Sequence, residues 1–165
     1  MTTHTNSPAD LGRLPSRHAP RLPPRWFICS FWVLHRAAFA ASRGRFGLRP
    51  ATAERWGMLR LRTLGRHTGQ QRSAILAYLE DGSNLIVLAT NGMAEPTPAW
   101  WLNLQAHPEA TVDLGDGSHA VRARVADTRE RPRLWELWAA LGGDLDGHAA
   151  ARSKEIPVVI LEPHC

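Results

Sequence analysis

Between Gly65 and Arg72 the chain reads Gly-Arg-His-Thr-Gly-Gln-Gln-Arg, which puts two guanidinium groups, an imidazole and a hydroxyl on one glycine-bounded turn. Residue types at this spacing suit an anion, above all a phosphate. Backbone N–H groups of a tight turn can form a concave nest, and arginine adds charge-assisted, two-pronged hydrogen bonds. The same residues are equally compatible with an exposed hairpin whose arginines are solvated. Two other phosphate sites are excluded: no Lys-Ser/Thr pair follows Gly69, as a Walker loop requires, and no G-x-G-x-x-G occurs. There is no G-x-S-x-G elbow, and the single Lys154 has no partner pattern, so hydrolase and Schiff-base chemistry lose support. His4, His18, His35, His107, His119 and His164 are scattered without metal-ligand spacing, so no metal site is expected.

Strands must hold such a turn. Met58 to Leu64 alternates Leu59, Leu61 and Thr63 against Arg60 and Arg62, the period of a strand with one wet face. Residues 72–80 and 84–91, joined at Asp81-Gly82, predict a hairpin, so the first three strands form an antiparallel meander. Thr97 reads as an N-cap with Pro98 at the first helical position, opening a helix that Pro108 stops and that carries Trp100 and Leu104 on one face. Residues 110–114 and 119–127 flank Asp116-Gly117 in a second hairpin, with Val121, Ala123 and Val125 alternating against Arg122 and Arg124. Residues 128–141 predict a helix with Leu134, Leu137, Trp138 and Leu141 on one face, followed by a loop with a short helix and a last strand from Ile156.

Upstream, residues 1–23, with Pro8, Pro15, Pro20, Pro23 and Pro24, read as a flexible tail, and Arg25 to Arg43 as a first helix ended by Gly44 and Gly47. The expected architecture is a β-barrel with added helices, about six mainly antiparallel strands in one domain over residues 24–165. Trp26, Trp32, Trp56, Trp135 and Trp138 read as packing residues.

The chain has 165 residues, 44% of them apolar, enough for one core. Its net charge of +5 conceals an asymmetry: residues 1–72 hold thirteen arginines against Asp10 and Glu54, whereas residues 73–165 hold seven basic and thirteen acidic groups. A basic half can face nucleic acid, an anionic membrane or an anionic small ligand. No helix-turn-helix pattern, zinc-ligand spacing or RNP-like strand is present, so nucleic acid is not an expected partner. Cys29 and Cys165 lie at no framework spacing, which points to a reducing, cytoplasmic compartment. The apolar run from Trp26 to Leu34 is about half a bilayer span. Its helix is read first as a cover for the barrel and second as a peripheral membrane contact.

Together the turn and a second motif resemble the deazaflavin-dependent nitroreductases, a branch of the flavin and deazaflavin oxidoreductases with the FMN-binding split-barrel fold. The signature G-R-x-[ST]-G-Q-x-R is met by Gly65, Arg66, Thr68, Gly69, Gln70 and Arg72. A Ser/Thr-polar-Gly step followed by P-x-W-[YW]-x-N-L is met by Thr90, Asn91, Gly92, Pro98, Trp100, Trp101, Asn103 and Leu104. The last strand to Pro163 also looks like the family's, so the resemblance runs over about residues 25–163. It implies coenzyme F420, a deazaflavin with an anionic phosphate and oligoglutamate tail, ahead of FMN. By position it implies Arg66, His67, Thr68, Gly69 and Arg72 at the phosphate. Ser73, Ala74, Ile75, Leu76 and Ala77 would then run along the ring and its side chain, with Leu88, Ala89, Thr90 and Asn91 on another wall and Ala99, Trp100, Trp101, Leu102 and Asn103 on a third. Members often carry lysine at the positions of His67 and Asn91 and proline at those of Gln71 and Ile75, which leaves this site less cationic and its second strand less kinked.

Members that reduce bulky nitroimidazoles place tyrosines where Ala77, Gly142, Leu145 and His148 stand here. The implied activity is hydride transfer to a small lipophilic acceptor such as a quinone or a nitro compound, with naphthoquinone-type acceptors expected ahead of bicyclic nitroimidazoles. Positioning, electrophilic polarisation and a proton source would suffice, and Thr90 and His148 are the candidates for the latter two roles. The alternative is a non-catalytic split-barrel binder of a fatty acid, FMN or haem. Oligomeric state is left open by the sequence.

Overall fold

The structure is a computed structural model that describes residues 48–91, 96–141 and 144–164; the expected tail, first helix and Gly142 lie outside them. Six strands, β1 (Gly57–Leu64), β2 (Gln71–Asp81), β3 (Asn84–Leu88), β4 (Glu109–Leu114), β5 (Gly117–Val125) and β6 (Val158–Pro163), form a closed antiparallel barrel in the order β1-β2-β3-β6-β5-β4. Helices α1 (Ala99–Ala106), α2 (Glu130–Ala140) and α3 (Leu145–Ala150) complete it.

Strand alternation sorts the side chains into two clusters. Inward go Leu59 and Leu61 of β1, Tyr78 of β2, Val87 of β3, Val112 of β4, Val121 of β5 and Val159 and Leu161 of β6, with Trp100, Trp101 and Leu104 of α1 packed among them. Outward on one side go Leu79, Ile86, Leu88, Val158 and Ile160, which are covered by Leu134 and Trp138 of α2 and Leu145 of α3. Removing each such side chain from water contributes roughly 1.5–3 kcal/mol, which is why β6 reads as an unbroken apolar run: both its faces are covered. Gly57 makes one close approach possible, since a Cβ there would overlap the Tyr78 ring and lie 2.6 Å from the Ala51 nitrogen.

Several expectations shift by a residue or two. The β4–β5 loop is Gly115-Asp116, because Leu114 pairs with Gly117, and β3 stops at Leu88. Pro98, not Thr97, is the N-cap of α1: its ψ of 142° is extended, no side chain caps the helix, and the Pro98 carbonyl accepts the N–H of Trp101. Val125 and Leu137 were expected on apolar faces but are exposed, at the end of β5 and on the outer side of α2. The turn leading into α2 is closed by a reciprocal pair in which Asp127 Oδ1 accepts the Glu130 N–H at 2.8 Å and Glu130 Oε2 accepts the Asp127 N–H at 3.0 Å.

Candidate active site

The Gly65–Arg72 turn joins β1 to β2 with Leu64 paired to Gln71, so six residues bridge the strands. Gly69, at φ 64°, sits in the left-handed region, and a Cβ on Gly65 would stand 3.0 Å from Thr68 Oγ1. The turn uses most of its own amides. Gly65 N–H donates to the Gln70 carbonyl at 2.8 Å, Thr68 and Gly69 N–H to the Gly65 carbonyl at 3.2 and 2.7 Å, and Gln70 N–H to Thr68 Oγ1 at 3.4 Å. Arg66 N–H donates to Asn103 Oδ1 at 3.2 Å. The nest of open amides expected from the sequence is therefore reduced to the N–H of His67, for which no acceptor exists among the described residues. Anion affinity must come from side chains instead. Arg66, His67, Thr68 and Arg72 are all exposed, and Gln70 Oε1 accepts a 3.3 Å hydrogen bond from the Arg72 guanidinium.

Asn103 anchors this arrangement from α1. It is buried, and its Nδ2 donates to the buried Thr63 Oγ1 at 3.2 Å while its Oδ1 holds the turn. Trp100 and Trp101 lie edge to face with centroids 6.4 Å apart in the barrel core; Ala99 is exposed and Leu102 half-buried.

Beyond the turn, β2 and β3 pair only where the hairpin closes, over Asp81↔Asn84, Glu80↔Leu85 and Leu79↔Ile86. From Tyr78 back to Gln71, β2 has no partner on that side among the described residues, and β3 goes on to pair with β6. The barrel is split here. Ser73, Ile75 and Ala77 project to the outer face along this edge, while Ala74 and Leu76 pack on the interior. Across the gap Leu88 packs outward, Ala89 inward, Thr90 is half-buried and Asn91 exposed. Of the residues expected at the site, the structure links the turn to α1 through Asn103 and runs it directly into the unpaired stretch of β2.

His148 lies on α3. It is exposed, and its Nδ1 carries the proton donated to the Asp144 carbonyl at 2.5 Å, which leaves Nε2 open. Leu145, one turn earlier, is buried against the outer cluster that contains Ala77.

A feature the sequence motifs missed lies next to Ser73, on the outer face of β1. Arg62 is its cross-strand partner, and Arg60 and Arg62 both reach Asp113 of β4, the latter at 2.8 Å. Burial works against ionisation of Asp113, but hydrogen bonds from Ser118 and Arg60 and the two arginine charges outweigh it and hold the carboxyl below its ordinary range. A lone aspartate in the alternation of β4 opposite two arginines of β1 was the available signal.

A split β-barrel with added helices is what this fold defines. The chain belongs to the F420H(2)-dependent quinone reductase family, whose model matches residues 34–163. An F420H(2)-dependent quinone reductase of Mycobacterium tuberculosis is 30% identical over 131 residues, 78% of this chain and 87% of that protein. A candidate F420H(2)-dependent quinone reductase of the same species is 37% identical over 99 residues, 59% of this chain and 82% of its own. Among solved structures, an F420-H2 dependent reductase superposes with a TM-score of 0.58 at 25% identity, covering 64% of this chain and 93% of the other. The chain is accordingly an F420-dependent oxidoreductase. No described helix is long and apolar enough to cross a membrane.

Proposed function

We propose that the enzyme reduces a small lipophilic quinone with reduced coenzyme F420, the anionic part of the coenzyme lying at the Gly65–Arg72 turn and its ring along the split between β2 and β3. The donor set fits that group, since Arg66 and Arg72 are exposed at the mouth of the split and the amides of the turn are committed to holding its shape. When bound, the coenzyme supplies a hydride. Arg66 and Arg72 bind and orient it through charge-assisted hydrogen bonds, with His67 and Thr68 beside them. Ser73, Ile75 and Ala77 wall the gap on one side and Leu88 to Asn91 on the other. Thr90 polarises the acceptor, and His148, when doubly protonated, donates the proton from Nε2.

The observation that carries this reading is the Asn103-anchored turn at the head of the unpaired β2 edge. Small residues favour a flat quinone over a nitro acceptor, because Ala77 and Leu145 bring no phenolic donors for the two oxygens on which nitro reduction builds charge. Steady-state assays of 2-methyl-1,4-naphthoquinone and a bicyclic nitroimidazole with the reduced coenzyme test it. Faster turnover of the quinone is expected; a preference for the nitroimidazole overturns the acceptor assignment, and absence of a deazaflavin complex in an absorbance titration overturns the cofactor site.

A further inference from the structure

At the end of the barrel that carries the Gly65–Arg72 turn, a cleft of about 260 Å³ opens between the end of β5, the start of α2 and the segment before β6. Val125, Ala126 and Pro157 give it an apolar face, and Asp127, Arg131 and Glu155 a polar rim. Val125, at 51% exposure, is the most exposed large apolar side chain among the described residues. The rim groups are already engaged with one another. Arg131 Nε pairs with Glu155 at 2.6 Å, its Nη1 donates to the Ile156 carbonyl at 2.8 Å, and its guanidinium lies 5.2 Å from the Trp135 ring centroid. Asp127 Oδ1 accepts the N–H groups of Arg129 and Glu130, both at 2.8 Å. Two carboxylates against one guanidinium also disfavour an anion at the rim. What remains for a ligand is uncharged apolar surface.

The cleft adjoins the β3 side of the split. Pro157 lines it, and the Pro157 carbonyl accepts the Ala89 N–H at 2.9 Å, next to the Leu88↔Val158 pair. Ala89 precedes Thr90, which the proposed function sets against the acceptor. Neighbouring strands stand about 4.8 Å apart, so a group leaving an acceptor at Thr90 has a single strand to cross. A cleft that encloses a whole small molecule measures roughly 300–1,000 Å³, so this smaller one suits a substituent and not a ring system. We propose that it receives an uncharged aliphatic side chain of the quinone acceptor. This rests on the quinone-reductase reading above and deepens it: the ring reacts in the split while the chain lies over Pro157 against Val125 and Ala126. Such a chain makes the same contacts before and during hydride transfer, so it acts on KM and leaves kcat as it is.

Steady-state kinetics with the reduced coenzyme test it by comparing 2-methyl-1,4-naphthoquinone with 2-methyl-3-geranyl-1,4-naphthoquinone, in the wild type and in Val125→Asp. In the wild type the chain should lower KM about tenfold at equal kcat, and the substitution should erase that advantage. Equal KM for the two quinones in the wild type, or an advantage retained by the variant, overturns the proposal and leaves the quinone-reductase reading standing. Turnover of neither quinone overturns that reading and this proposal together. Should Val125→Asp not fold, photolabelling of the wild type decides it. A 2-methyl-3-alkyl-1,4-naphthoquinone whose chain ends in a diazirine, bound in the presence of oxidised coenzyme, should attach within residues 125–131 or 155–157; attachment elsewhere overturns the proposal.

Discussion

Asn103 and Thr63 lie 40 residues apart in sequence, and the 3.2 Å hydrogen bond between them is buried where α1 meets the end of β1. The same amide holds the Arg66 N–H, so one side chain connects the helix, the strand and the anion turn. Asn103→Leu removes both bonds and leaves the Thr63 hydroxyl and the Arg66 amide without that partner. The expected loss is about 1–3 kcal/mol of stability, read by urea denaturation, with coenzyme affinity falling further than in a variant of equal stability altered elsewhere.

Arg66→Ala and Arg72→Ala should each weaken coenzyme binding about tenfold or more while leaving the melting temperature unchanged, because both side chains are exposed and the proposed function gives them the phosphate contacts. Fluorescence titration provides the affinities. Gln70→Ala should show a smaller loss, since Gln70 acts only by orienting Arg72. Unchanged affinity in both arginine variants would remove the turn from the site.

Acid should weaken the contacts that tie α2 to β5. Hydrogen bonds from Arg124, with that of the Asp127 amide, hold the Glu130 carboxyl down at about 2, against an ordinary 4.5. A depressed carboxylate contributes stability that is present above its unfolded value and is lost as the pH falls through the folded value. Melting temperature should therefore decline between pH 4.5 and 2, and Glu130→Gln should flatten that segment of the profile. A profile for the variant parallel to the wild type would exclude Glu130 as its source.

His148→Ala should lower quinone turnover without altering coenzyme affinity, because the open Nε2 belongs to the acceptor side of the proposed mechanism. Turnover equal to the wild type across neutral pH would leave water as the proton source.

Much of this was legible in the residues themselves. The period-two pattern of Leu59, Leu61 and Thr63 marked β1, and the Asp81-Gly82 pair marked the hairpin beside Gly82 at φ 63°. Partnerships between distant residues were not legible. Nothing local distinguishes the 3.2 Å reach of Asn103 to Thr63, or shows that the turn would use its own amides and leave anion binding to guanidinium groups. Val125 and Leu137 fit apolar patterns that the structure does not bury: Val125 is the last residue of β5, and Leu137 lies off the face of α2 that buries Leu134 and Trp138. Trp138 was read as packing, which is true of its ring; its unmatched N–H is visible only once its neighbours are known.

The position of β6 between β3 and β5 has a consequence for assembly on the ribosome. Before Val158–Pro163 is made, the other five strands can form a curved ribbon in the order β3-β2-β1-β4-β5, whose two outermost strands lack neighbours. A ribbon with two bare edges is prone to pair with other chains, and joining strands so far apart in sequence is intrinsically slow. Closure therefore comes in a late step, when one short apolar strand zips both edges at once. Nascent chains of this fold should depend most on chaperones in the interval between synthesis of β5 and release of β6.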